Sequence, residues 1–280
     1  MSSTELNCIG KSVPIHDARE KATGALRYVG DLKRPGLLHA KLVLSEVAHG
    51  HVREIDLAAA RAVPGVVGIY TFRDAPDILY NSHQWLEGME VVKDERIFTD
   101  HVRFHGDRIA AVVAESREAA EQAARLVKVD YEELPVVLDP EAALLEGAAA
   151  IHPAGNGLGH MRIACGDAAA RMQEADLVVE DRIETPKVHH AAMETHGCLA
   201  EVEPNGGVVV HTPCQVIFQV QLIVSTALGL PLDQVRVLKT TLGGSFGGKS
   251  QPVLEPVAAF LALRTGRPVR LVLDRTESIL

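Results

Sequence analysis

Apolar residues in the first half of the chain recur in short runs that predict strands and helices of one α+β or α/β domain. His49 and His51 fall between the predicted elements and are interpreted as loop residues. The polar stretch 74–99 has weak periodicity and is interpreted as a long excursion. The pattern predicts two strand-helix-strand units, with strands at 37–46, 66–72, 107–115 and 128–133 and helices at 55–63 and 117–127.

The second half repeats the alternation after a stretch dense in turn residues at 152–159, which predicts a domain boundary. Gly229 and Gly266 stand where two helices are predicted to end. The last residues follow directly on a core strand, so the second region has an unfinished pattern. The predicted elements are strands at 176–184, 197–203, 207–211, 235–242 and 269–273, and helices at 141–146, 215–228 and 253–263.

Composition narrows the class of protein. The 280 residues are 47% hydrophobic, enough for two regions that each bury a core. A net charge of -9 disfavours a nucleic-acid partner. Apolar runs are well below the roughly 20 residues of a membrane-spanning helix, and the polar start lacks a secretion signal, so we expect a cytoplasmic protein without a membrane partner. Four cysteines, Cys8 among them, form no close pair, which predicts neither zinc nor an iron–sulfur cluster here.

The strongest local signal is the glycine-rich loop, residues 243–250 (GGSFGGKS), between a predicted strand and a predicted helix. Four glycines allow backbone N–H groups to approach a ligand, and a helix N-terminus favours an anion. The octet also fits G-x-x-x-x-G-K-[ST], and Asp274 imitates the acidic strand end of nucleotide triphosphatases. A nucleotide-binding protein is therefore one alternative, although only roughly 30 residues follow the loop and that fold needs several more strands. A tight turn without ligand is another.

Two clusters of polar residues receive structural interpretations. His189, His190, Glu194 and His196 have spacings that suit metal ligands, but no four-ligand arrangement is apparent, so a structural role is favoured. The acidic run between Asp176 and Glu184 is typical of a solvated strand edge.

The glycine-rich loop and its flanks resemble the Gly-Gly-x-Phe-Gly-Gly-Lys motif of the xanthine dehydrogenase and aldehyde oxidase family. Each signature is weak by itself, but five in the same order as in the family, spanning nearly the whole chain, make a strong joint match. The resemblance implies a mixed α/β (α+β) fold, with an α/β hammerhead domain at 18–137 and the first, incomplete part of a molybdenum-cofactor-binding domain at 145–280. The other similar segments are 10–24, 106–115, 129–135 and 190–194.

The resemblance also implies roles for individual residues. Gln215 would be catalytic, since the family has a glutamine before the loop that hydrogen-bonds an oxygen on molybdenum, and an amide donor stabilises developing negative charge without ionising. Gly244, Ser245, Phe246 and Gly247 would bind the cofactor, the first two through backbone donors and Phe246 beside the metal. For Gln215, an amide at a helix start that bonds the backbone stays open. For Phe246, a core aromatic under the turn stays open.

The activity implied is hydroxylation of a carbon in a small-molecule substrate, a purine or related N-heterocycle, with water as the oxygen source. The cofactor would be molybdenum-molybdopterin, with iron–sulfur clusters and FAD on partner subunits. Ser250 would face the substrate. Eukaryotic xanthine-type enzymes carry a glutamate at this position that contacts the purine, so Ser250 leaves aldehydes and other N-heterocycles open while a purine is favoured.

The family's glutamate base and substrate-binding arginine occur beyond the loop, and no counterpart precedes Leu280. We therefore expect this chain to be inactive by itself and to share its cofactor with a missing segment or with a second chain that completes the domain. A non-catalytic assembly or scaffold protein of the same family is a further alternative.

Overall fold

A computed structural model describes residues 9–157, 159 and 161–280. Cys8 and the first residues of the polar start lie outside the described residues. Within them, no helix is long and apolar enough to cross a bilayer. The strands are β1 (Leu38–Leu44), β2 (Gly50–Asp56), β3 (Val66–Thr71), β4 (His101–Val102), β5 (Arg108–Ala114), β6 (Lys128–Glu133), β7 (Gly197–Val202), β8 (Val208–Thr212), β9 (Val235–Lys239) and β10 (Val269–Val272).

Two helices end at the glycines where the sequence predicted their ends. Gly229 and Gly266 end the two longest helices in left-handed conformations, with φ of 65° and 63°, because glycine has no Cβ to clash there. The helices are α1 (Ala18–Thr23), α2 (Ala58–Arg61), α3 (Arg117–Ala124), α4 (Ala168–Glu174), α5 (Ile217–Leu228), α6 (Glu255–Thr265) and α7 (Arg275–Ile279), with 3-10 turns at Val29–Asp31, Ala142–Leu144 and Leu232–Gln234.

A seven-stranded sheet in the order β3-β5-β1-β10-β7-β8-β9 runs through both halves of the chain. The halves join where β1 pairs in parallel with β10, Leu38 lying opposite Val269. Side chains from both halves also share one hydrophobic cluster, in which Leu38 and Ala111 lie with Val210 and Phe260. The stretch at 152–159 therefore separates two parts of the sequence whose strands meet in one sheet.

Both faces of this sheet are covered, which explains its long apolar runs. Helices α5 and α6 pack on one face, in the cluster that contains Ala111 and Val113 of β5. On the other face Val112 packs with Ala123 of α3 and Ala60 of α2. Every residue of β5 from Ile109 to Ala114 is fully buried as a result.

A smaller sheet, in the order β4-β2-β6, differs from the prediction. The predicted helix at 55–63 is shortened to α2, because residues 50–56 form a strand that pairs with β6 and has Val52 and Ile55 buried. The loop interpretation is wrong for His51, which lies in β2. His49 does lie in the loop before β2, where it is buried with its Nδ1 2.7 Å from the Pro135 carbonyl oxygen.

The predicted strand at 176–184 is also wrong. These residues are irregular, and Leu177 and Ile183 are 79% and 86% exposed. A strand needs a neighbour to satisfy its N–H and C=O groups, and none of the described strands pairs with this segment. The apolar run Leu177, Val178 and Val179 gave the segment strand propensity without supplying that neighbour. Its acidic residues are solvated, as predicted.

We expect the free energy of unfolding to depend on pH, because three histidines lie together in and beside the smaller sheet. The His101 ring lies 4.4 Å from that of His51, and its Nε2 lies 3.4 Å from Nε2 of His49. Burial first, and then the neighbouring Arg103, His51 and His49, lower the pKa of His101 to about 4. Between about pH 6.5 and 4 the unfolded chain therefore binds a proton that the folded chain does not, and the free energy of unfolding falls as the pH falls through this window.

Urea unfolding followed by circular dichroism across this pH range checks the prediction. His101→Gln should flatten the slope of stability against pH, whereas His105→Gln, at an exposed position in the following turn, should leave it unchanged. Equal slopes for wild type and His101→Gln would contradict it.

Candidate functional site

The glycine-rich loop (residues 243–250) connects β9 to α6 and contains strained backbone. Phe246 has a φ of +52°, which is uncommon for a residue with a side chain and is found most often at functional sites. Gly244 and Gly247, with φ of +102° and +98°, adopt conformations that L side chains rarely reach. Phe246 is 78% exposed, so the interpretation of this residue as a core aromatic is wrong.

The loop presents a run of free backbone donors. The N–H groups at both ends of the loop are used: Gly243 donates to Glu194 and Gly248 to the Ser245 carbonyl. By contrast, no hydrogen bond in the described part of the chain uses the N–H groups of residues 244–247. Four consecutive unpaired N–H groups in a turn with positive φ angles form a concavity that suits an anion.

Gln215 lies against this loop, in the connection between β8 and α5. Its Oε1 accepts hydrogen bonds from the hydroxyls of Ser245 at 2.8 Å and Ser250 at 2.7 Å. Its backbone N–H donates to the Lys249 carbonyl at 2.9 Å. The side chain therefore bonds two hydroxyls and not the backbone, unlike an amide that caps a helix. Because both hydroxyls occupy Oε1, the Nε2 amino group remains available as a donor.

The segment 189–194 packs against the loop and forms a second wall. This contact gives the family-like segment 190–194 a physical role. A Cβ added at Gly248 would lie 1.5 Å from His190 Nε2, and one at Gly244 would lie 3.3 Å from the Ala192 Cβ. Ala191, beside these contacts, has a φ of +42°. Close approach of the two segments thus depends on glycine in the loop.

The contacts of Lys249 argue against the nucleotide-binding alternative. In a phosphate loop this lysine reaches the bound phosphates and the helix begins at once behind it. Here the Lys249 side chain is 4% exposed and its Nζ donates to Glu194 Oε2 at 2.7 Å. Helix α6 begins only at Glu255. The lysine is therefore neutralised within the protein, and residues 250–254 separate it from the start of α6.

Of the histidines near the loop, His196 forms hydrogen bonds within the protein, whereas His190 Nε2 is buried without a hydrogen-bond partner. His196 Nε2 lies 2.7 Å from the Gly248 carbonyl oxygen and its Nδ1 lies 3.2 Å from Ser278 Oγ. Burial, and then the neighbouring His189, His196 and Lys249, lower the pKa of His190, which favours its neutral form. Among the described residues, no group of three or more histidine, cysteine or acidic side chains is placed to hold a metal ion.

Sequence reasoning missed the contacts that Glu194, Lys249 and Arg275 make at the site. Glu194 pairs with Lys249, and Arg275 donates from Nη2 to the carbonyls of Ala192 at 2.7 Å and Met193 at 2.9 Å. Glu194 and Arg275 are far from the loop in sequence, so only the fold brings them to it. The motif indicated Lys249, but as a phosphate ligand.

The fold and this site can be compared with known proteins. Residues 23–135 match the family model described as aldehyde oxidase and xanthine dehydrogenase, a/b hammerhead domain, and residues 151–280 match that of the molybdopterin cofactor-binding domain. The chain belongs to the xanthine dehydrogenase and aldehyde oxidase family. The resemblance seen in the sequence motifs is confirmed, as is the mixed α/β fold.

Individual members of the family are similar to this chain along nearly all of its length. The xanthine dehydrogenase molybdenum-binding subunit of Escherichia coli O157:H7 is 40% identical over 269 residues, which cover 94% of this chain and 36% of that protein. Quinoline 2-oxidoreductase from Pseudomonas putida 86 aligns with a TM-score of 0.88 and 32% identity, over 97% of this chain and 35% of that one. Aldehyde oxidoreductase from Desulfovibrio gigas aligns with a TM-score of 0.84 and 29% identity, over 95% and 30%. The chain therefore spans about a third of the length of these relatives.

Proposed function

We propose that the loop backbone around Phe246 and the side chain of Gln215 form one wall of a chamber for a molybdenum-molybdopterin cofactor. The observation that carries this proposal is the contact of Gln215 Oε1 with both Ser245 and Ser250, which fixes an amide donor beside the four free N–H groups of the loop. The match of residues 151–280 to the molybdopterin cofactor-binding domain supports it. We propose 18–137 as the hammerhead domain and 145–280 as the cofactor-binding domain.

The chemistry of the wall fits this group. A pterin carrying a phosphate is an anion, and the N–H groups of Gly244, Ser245, Phe246 and Gly247 would hold it without a counter-charge from Lys249. A Cβ at Gly247 would meet nothing within 4 Å, so the loop has open space on that side. The Gln215 amide would donate a hydrogen bond to an acceptor of the cofactor. When bound, the molybdenum group supplies the two-electron oxidation of the substrate carbon.

The substrate class proposed is a purine or a related N-heterocycle, hydroxylated with water as the oxygen source. The similarity to a protein named as a xanthine dehydrogenase subunit, and to one named for quinoline, supports an N-heterocycle. An aldehyde is the second candidate, supported by the likeness to an aldehyde oxidoreductase. Ser250 would line the substrate side as a neutral hydroxyl that also bonds Gln215.

The partners proposed are an iron–sulfur subunit and an FAD subunit that carry electrons away in the cytoplasm. We also propose a second polypeptide that completes the cofactor domain. The E. coli relative is itself named as a subunit, which supports an assembly of several chains.

Elemental analysis tests the proposal on the chain purified with any co-purifying polypeptide from a host that makes the cofactor. We expect molybdenum and pterin in equal amounts in the purified assembly, with mass spectrometry identifying the partner chains. Calorimetric titration with ATP should show no binding, because Lys249 is already paired with Glu194. An assembly that contains no molybdenum or pterin would refute the proposed function, and ATP binding that Lys249→Ala abolishes would restore the nucleotide-binding alternative.

A further inference from the structure

A buried ion pair connects the two ends of the glycine-rich loop. Glu194 Oε2 accepts a hydrogen bond from the Lys249 ammonium at 2.7 Å and another from the Gly243 N–H at 2.8 Å. The backbone of Glu194 adds a third contact, its N–H donating to the Gly243 carbonyl at 3.1 Å. One residue outside the loop therefore holds its first residue and its lysine together.

The pair is largely shielded from water. The Lys249 side chain is 4% exposed and that of Glu194 is 14% exposed. The approach is so close that a Cβ added at Gly243 would lie 2.5 Å from the Glu194 Cβ. A buried charge without a partner is strongly unfavourable, so each member of the pair restricts where the other can be placed.

Lys249 carries this restraint to Gln215. The Lys249 N–H donates to Ser245 Oγ at 3.1 Å, and its carbonyl accepts the backbone N–H of Gln215 at 2.9 Å. Ser245 Oγ in turn donates to Gln215 Oε1 at 2.8 Å. A movement of Lys249 would therefore displace both the backbone and the side-chain amide of Gln215.

We propose that Glu194 and Lys249 are positioning residues, whose ion pair fixes the conformation of the glycine-rich loop and, through Lys249, the position of Gln215. The importance of this ion pair for the reaction rests on the proposed function, in which Gln215 faces the cofactor. The restraint itself is a property of this chain and can be measured without molybdenum. A pair that only fills space in the core would stabilise the protein without restricting the loop in particular.

Hydrogen exchange of the full 280-residue chain, followed by mass spectrometry, separates these two roles. The readout is the exchange rate of peptides that contain residues 243–250, compared with peptides from β5. In Glu194→Gln we expect the loop peptides to exchange at least about ten-fold faster, since the carboxylate that pairs with Lys249 and accepts the Gly243 N–H becomes a neutral amide. The matched control is Glu203→Gln, which changes a more exposed glutamate that lies 3.9 Å from Arg236.

A double variant, Glu194→Leu with Lys249→Met, separates the effect on loop exchange from the effect on overall stability. It removes both charges and keeps the volume, so its urea midpoint should recover towards that of the wild type. We expect its loop peptides to exchange as fast as those of Glu194→Gln, while β5 stays protected. Recovery of loop protection together with stability would overturn the inference, as would equal acceleration in the loop and in β5. A chain that binds no pterin would refute the proposed function and leave this result unchanged.

Discussion

Replacing Gln215 with alanine is expected to lower the turnover number of the assembled enzyme by about 10²–10³-fold. The amide is held by Ser245 and Ser250 through its Oε1, which leaves the Nε2 donor for an acceptor in the proposed chamber. A fixed donor at such a position acts mainly on the charge that develops during the reaction, so the loss should fall on kcat more than on KM. Steady-state kinetics with xanthine, and with quinoline and an aldehyde in parallel, measure the effect and compare the substrate classes.

Two further variants sharpen this prediction. Gln215→Glu keeps the acceptor for both serine hydroxyls but has no amide donor, so it should lose activity as alanine does. Gln221→Ala is the matched control, because Gln221 on α5 donates instead to the carbonyls of Leu232 and Val235. Wild-type turnover in Gln215→Ala would argue for the assembly or scaffold alternative, in which the chain retains the family fold without taking part in the reaction.

Replacing Gly243 with alanine is expected to lower the free energy of unfolding by about 3 kcal/mol. The new methyl group would lie 2.5 Å from the Glu194 Cβ, an atom fixed by the backbone that cannot rotate away. Relief of the clash would separate Glu194 from the Gly243 N–H and from Lys249, and a buried ammonium would lose its partner. Urea unfolding monitored by circular dichroism measures the change.

The control for this variant is Gly30→Ala. A Cβ at Gly30 would meet nothing within 4 Å, and its φ lies outside the left-handed region. Its effect should stay within about 0.5 kcal/mol. A Gly243→Ala protein as stable as Gly30→Ala would show that the loop and Glu194 can separate at little cost.

The local pattern predicted most of the regular elements because their signals are local. The apolar run of β5 and the glycines that end α5 and α6 specify strand or helix from neighbouring residues alone. The two main errors, β2 and the segment 176–184, concern strands, which depend on partners distant in sequence. At residues 55 and 56 of β2 the pairing with β6 overrode a helical pattern, while in 176–184 no described neighbour was available.

The candidate site was also only partly predictable from the sequence. The glycine-rich loop was recognisable because Gly244 and Gly247 adopt backbone angles that other residues rarely adopt, and this requirement is local. The motif by itself could not decide between a phosphate loop and another anion site. That choice depended on the side chain of Lys249, whose partner Glu194 is 55 residues away in sequence.

The sequence by itself therefore determined the order of most elements and the family through its five signatures, and it predicted the loop as a ligand site. Only the tertiary structure decided that both halves share one sheet, that Gln215 meets Ser245 and Ser250, and that Lys249 is neutralised by Glu194. The physical reason is that conformational preferences act between neighbouring residues, whereas burial and ion pairing act between segments that the fold brings together.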